Sequence, residues 1–175
     1  MNRRMNSATK RAWMAVIGFS LAGIIGFTFV APDGTRIVWP EILFYALLVL
    51  NTFFSVRLFA SIMPEDRSQM LVDTVLVVCY IGLALSLGRE WAFPFFALCI
   101  FVAAPIKYAL VVGSVPYSQL LRKKLIIDLL GAALCAFALL GAVFLNYPLT
   151  TAWLFATIFA LANIYVLVIR PLYRL

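Results

Sequence analysis

Charged side chains sit within or at the ends of otherwise apolar stretches of this sequence, among them Arg57, Asp73, Lys107, Asp128 and Arg170. A charge in hydrocarbon is costly unless it is paired or hydrated, so residues of this kind mark ion or proton relays, or sites for an anionic headgroup. The structural alternative is that Arg and Lys stretch to the interface while Asp caps a helix N-terminus, where the dipole favours it. Arg57, Lys107 and Arg170 fall about a turn inside one end of their segments, and Asp73 and Asp128 fall at similar depth in neighbouring segments. Opposite signs at matching depth predict interhelical pairs, Arg57 with Asp73 and Lys107 with Asp128. All five stand near the interface rather than at the midplane, which favours the structural alternative.

Polar groups at greater depth are few: Asn51, Thr52, Ser55 and Asn163. An Asn there is expected to face another helix and hydrogen-bond across it, which contributes about 0.6–2 kcal/mol. Pro105 lies in mid-segment, two residues before Lys107. Proline removes one backbone hydrogen bond and frees the carbonyl of residue 101, a feature that serves either a transport path or helix packing. Gly18, Ala22 and Gly26, spaced by four, predict a close helix contact in the first segment, and Ala132, Ala136 and Leu140 a weaker one in the fifth.

Enzyme templates fail. The sequence has no histidine, which removes the usual general base and the commonest metal and haem ligand together. No close pair of carboxylates lies in an apolar segment, Glu65-Asp66 reads as a solvated turn, and no glycine loop fits a phosphate. Cys79, Cys99 and Cys135 each lie in an apolar run without a CxxC spacing and read as small buried apolar residues. The chain reads as non-enzymatic, with no cofactor and no metal.

The elements that must hold these residues follow from composition. Hydrophobic residues make up 65% of the chain and charged residues 12%, against roughly 45–50% and 25% in soluble domains. That leaves too little polar material for an aqueous shell. At about 20 apolar residues per crossing, 175 residues accommodate six crossings, read over 12–30, 40–60, 71–88, 91–112, 125–145 and 150–169. Turn signals separate them: Pro32-Asp33-Gly34, Pro64-Glu65-Asp66-Arg67, Gly88-Arg89-Glu90, the 116–124 stretch and Asn146-Tyr147-Pro148. Pro40 suits a first-turn position. The stretch from Trp13 to Val30 is long for a secretory signal core and is followed by no small-x-small cleavage pattern, so it reads as an anchor. The expected fold is all-α, one transmembrane domain over residues 1–175. Its repeating unit is a helical hairpin used three times, each odd helix followed by a short turn and an aromatic-rich even helix.

Orientation follows from Lys and Arg. The N-terminal tail, second loop, fourth loop and C-terminal tail, with adjoining helix ends, hold Arg3, Arg4, Lys10, Arg11, Arg57, Arg67, Lys107, Arg122, Lys123, Lys124, Arg170 and Arg174; the other loops hold Arg36 and Arg89. Twelve against two, alternating as six crossings require, place both termini in the cytoplasm of a cell inner (plasma) membrane. Trp39, Trp91, Tyr147 and Trp153 flank the opposite ends as interfacial aromatics do. The formal charge of +7 is thereby assigned to topology and to anionic headgroups at the cytoplasmic face rather than to nucleic acid.

Trp13-x-x-x-Ile17-Gly18 through Gly26 to Pro32, and Leu129-Leu130-Gly131 through Gly141 to Tyr147-Pro148, resemble the odd-helix units of the HdeD-type acid-resistance membrane proteins. The resemblance covers two of the three hairpins. It departs in the even helices, where Asn51, Ala103 and Asn163 stand in place of an expected glycine. It implies three hairpins with a proline at the turn and a stress-linked inner-membrane role.

Two function classes remain. One is a non-enzymatic accessory, assembly or scaffold subunit of a homo-oligomer or of a complex with other membrane subunits. In that case the deep polar groups lie in dry helix contacts, with Phe53, Phe54, Phe95 and Phe101 facing lipid or a partner. The other is a small transporter or channel for an ion, small solute or lipid headgroup, in which those groups converge on one cavity reaching the level of Arg57, Lys107 and Arg170.

Overall fold

The computed structural model describes residues 2–30, 37–62, 66–110, 118–145 and 148–169. Six α-helices account for nearly all of them: α1 (Asn2–Val30), α2 (Val38–Ile62), α3 (Arg67–Leu85), α4 (Ala92–Ala109), α5 (Ser118–Phe144) and α6 (Pro148–Ile164), the last running into a π-helical turn at Tyr165–Ile169. All six elements contain a stretch long and apolar enough to cross a membrane. At 1.5 Å per residue, the 18 residues of α4 reach about 27 Å, close to the roughly 30 Å of a hydrocarbon core. This is an all-α polytopic membrane protein of six spans arranged as three hairpins.

Helices α1 and α5 begin well before their apolar runs. The polar residues 2–11 form the start of α1, and α5 begins at Ser118, so Arg122, Lys123 and Lys124 are helical rather than part of a loop. Lys and Arg propagate a helix nearly as well as Leu, and a helix that leaves the bilayer has no reason to stop at its surface. At the start of α3, Asp66 is the N-cap and not merely a solvated turn residue. Its carboxylate accepts from the Ser68 hydroxyl and the Arg67 backbone N–H. Those two bonds hold its pKa below the ordinary carboxylate value.

The helices form a closed circuit of neighbours, α1–α2–α6–α5–α4–α3 and back to α1. Its centre is aromatic. Phe44 of α2 is fully buried and stacks on Phe155 at 4.2 Å between ring centroids, with Phe159 at 4.4 Å and Phe93 edge-on at 5.8 Å. The three even helices thus converge on one ring cluster, and the aromatics that enrich them are core. Phe101 is buried within this cluster rather than facing lipid, Phe95 is exposed, and Phe53 and Phe54 are half-buried. The outer surface is the inverse of a soluble protein's: Ile17, Leu21, Val78, Leu130, Phe137 and Leu161 are all exposed, a surface that only lipid or another apolar partner solvates.

The small-residue stripe of α1 is only partly used. A Cβ on Gly26 would run into the backbone carbonyl of Ala84 in α3, and one on Gly23 would meet the Tyr45 ring of α2, whereas Gly18 faces open space. The close approach is therefore real at one end of the helix, and Gly18 lies outside it. In the fifth segment Ala132 is buried and Leu140 is exposed. The three hairpins are also unequal: α5 and α6 touch each other least, and α5 packs far more extensively on α4.

Candidate functional site

Two ion pairs occur among the described side chains, and neither is the expected one. Lys107 of α4 bonds Asp73 of α3, not Asp128. The pair is partly exposed, Asp73 by about half, and Arg57 is exposed rather than paired with Asp73. The Gln69 side chain of α3 donates to the Lys107 carbonyl at 3.3 Å. Pro105 is buried inside α4; the carbonyl it frees is that of residue 101, not that of Lys107.

Asp128 takes its bond from within its own helix, from Lys124 Nζ at 2.6 Å across one turn. Both side chains are almost fully enclosed, 6% exposed for Lys124 and 2% for Asp128. This is a correction in partner. Asp128 stands ten positions after Ser118, about 15 Å along the helix, so it does not cap α5.

Around this pair lies a polar interior in an otherwise apolar bundle. Tyr80 of α3 is buried and shares a hydrogen bond between its hydroxyl and that of Thr52 in α2, and Thr52 also donates to the Leu48 carbonyl. Ser55 of α2 reaches the Tyr108 hydroxyl of α4 at 3.2 Å, and the Tyr45 hydroxyl donates to the Phe19 carbonyl of α1 at 2.7 Å. These bonds join α1, α2, α3 and α4.

Asn163 behaves differently from expectation. Its amide nitrogen donates to the Phe159 carbonyl one turn back at 2.9 Å, not across to another helix. That bond fixes the direction of its carbonyl oxygen, which is buried with no hydrogen-bond partner, as is the second oxygen of Asp128. Both residues, with Asn51, line a cleft of about 510 Å³ between α5 and α6. The rest of its wall is apolar and includes Gly131, Leu134, Phe159 and Val166. Gly131 faces the Phe101 ring so closely that a side chain would displace it. The π-helical turn at Tyr165–Ile169 follows directly, and Tyr165 and Val166 line the same cleft. Such turns are frequent at functional sites because they re-aim side chains.

Of the sequence-derived candidates, the cleft brings together Asn51, Asp128 and Asn163. Lys107, Asp73, Arg57 and Pro105 stand elsewhere, and Arg170 lies outside the described residues. Sequence reasoning missed Tyr80 and Lys124 here and Glu41 at the opposite end of the bundle. Glu41, 3% exposed, accepts the backbone N–H of Gly88, a glycine at φ 77° in the turn after α3. Its signal was an acid directly after Pro40 in a first turn, where the dipole favours it. Among the described residues, no group of three or more His, Cys, Asp or Glu side chains is placed to hold a metal ion. No family model, curated protein or solved structure matches this chain.

Proposed function

We propose that this chain is a non-enzymatic component of a membrane assembly, an accessory, assembly or scaffold subunit of the inner membrane with both termini cytoplasmic. One observation carries the reading: the interior hydroxyls are engaged with one another. Thr52 bonds Tyr80 and Ser55 bonds Tyr108, so four of the interior hydroxyls serve contacts between helices. A solute path needs hydrophilic lining from end to end. The broad apolar outer faces of α1 and α5 supply surface for neighbouring subunits or a second copy. The HdeD-type resemblance lends the role a stress-linked setting.

A specific feature speaks for the transporter reading, namely that Asn51, Asp128 and Asn163 share a cleft. Its lining includes neither Arg57 nor Lys107 and is mostly apolar, which suits a bound molecule better than a hydrated path. Light scattering on the protein purified in mild detergent tests the subunit reading. The expected result is a defined oligomer, or a complex of fixed stoichiometry, heavier than one chain. A monodisperse single chain with nothing bound would contradict it.

A further inference from the structure

We infer that Cys79 of α3 and Cys99 of α4 are a reactive dithiol, which a hydroperoxide dissolved in the bilayer converts to a disulfide between the two helices. The pairing follows from the register of the hairpin. Toward one end Lys107 bonds Asp73. Toward the other a Cβ on Gly82 would enter the Phe96 ring, so α4 packs directly on the α3 backbone there. The helices run antiparallel, and residues three apart share a helix face. Three positions back from Gly82 is Cys79, and three on from Phe96 is Cys99, so this register sets the two cysteines opposite each other between the two contacts. Their thiols interact directly.

The two sulfurs differ in access. Cys79 is buried, 8% exposed. Cys99 is half-buried and falls at helical spacing on a stripe with Phe95, Val102 and Ile106, all exposed on the outer face of α4. Both cysteines lie inside membrane spans, Cys79 twelve positions after Arg67, about 18 Å along the helix. A reagent therefore reaches Cys99 through hydrocarbon, which admits a neutral peroxide and excludes charged thiols such as glutathione. The Cys99 sulfur attacks the outer peroxide oxygen: an S–O bond forms, the O–O bond breaks, and the thiol proton leaves with the other oxygen as an alcohol. The Cys79 sulfur then attacks the sulfenic sulfur: the S–S bond forms, the S–O bond breaks, and the hydroxyl departs with the Cys79 proton as water. Two thiols lose two electrons, one peroxide gains them, and no net charge is left in the bilayer. The product ties α3 to α4.

The full-length protein in nanodiscs, treated with cumene hydroperoxide and digested without reductant, tests this by mass spectrometry. The expected result is a peptide pair linking Cys79 to Cys99 within one chain, with one cumyl alcohol released per disulfide. Cys135, fully buried on α5, should remain a thiol. Cys79→Ala should lose the link and leave Cys99 as a sulfenic acid that dimedone captures. Cys99→Ala should lose both the link and the dimedone adduct, because the accessible sulfur is gone. The unaltered protein carries the test if either variant fails to fold. Cysteines that all stay reduced, oxidation of Cys135 as fast as of Cys99, or a link joining Cys99 of two chains would overturn the inference.

Discussion

Replacing Lys124 by methionine is expected to cost about 3–5 kcal/mol of stability, because it leaves the Asp128 carboxylate buried without its cation. Asp128→Leu strands the ammonium instead and should cost a similar amount. The double variant, with two apolar side chains of similar bulk, should recover most of the loss, since a buried ion pair exchanged for apolar packing is often close to neutral. The magnitude comes from enclosure: the two side chains are 6% and 2% exposed. The same cycle on Lys107 and Asp73, a pair exposed by 20% and 53%, should return at most about 1 kcal/mol. Denaturant titration in detergent reads both cycles. An additive result for Lys124 and Asp128 would mean that the pair does not carry the interior of α5.

The proposed orientation has an all-or-none consequence. In a variant without Cys79, Cys99 and Cys135, single cysteines at Gly34 and at Asn146 should react with an impermeant thiol reagent supplied from outside the inner membrane. A cysteine at Lys123 should react only after the membrane is opened. The expectation rests on the Lys and Arg asymmetry. Labelling at Lys123 alone in intact cells would reverse the orientation.

The six spans were legible because a bilayer demands runs of about 20 apolar residues, and nothing else in this sequence looks like them. The helix starts were not, and one of those misreadings changed the chemistry. With residues 116–124 read as a loop, Lys124 falls outside the membrane segment, and the cation at matching depth for Asp128 is Lys107 of another helix. Once α5 begins at Ser118, Lys124 and Asp128 stand four apart on one face, where side chains meet. Depth along a helix can be counted from sequence, but which direction a side chain points within the bundle cannot. Hence the sequence marks Asn51 and Asn163 as deep polar residues but not their shared cleft, and nothing in it separates Tyr80 from the other aromatics. The glycine stripe of α1 was legible in kind, and only packing decides that Gly26 uses it and Gly18 does not.

The central claim is that the deep polar groups are engaged in helix contacts and a lateral cleft, not in a path through the protein. Purified protein in sealed liposomes loaded with a pH-sensitive dye, under a potassium gradient clamped by valinomycin, tests it most directly. Proton leak should match that of protein-free liposomes, and Asp128→Asn should change nothing. Leak well above the protein-free rate that Asp128→Asn abolishes would show a conducting route through this chain and contradict the account.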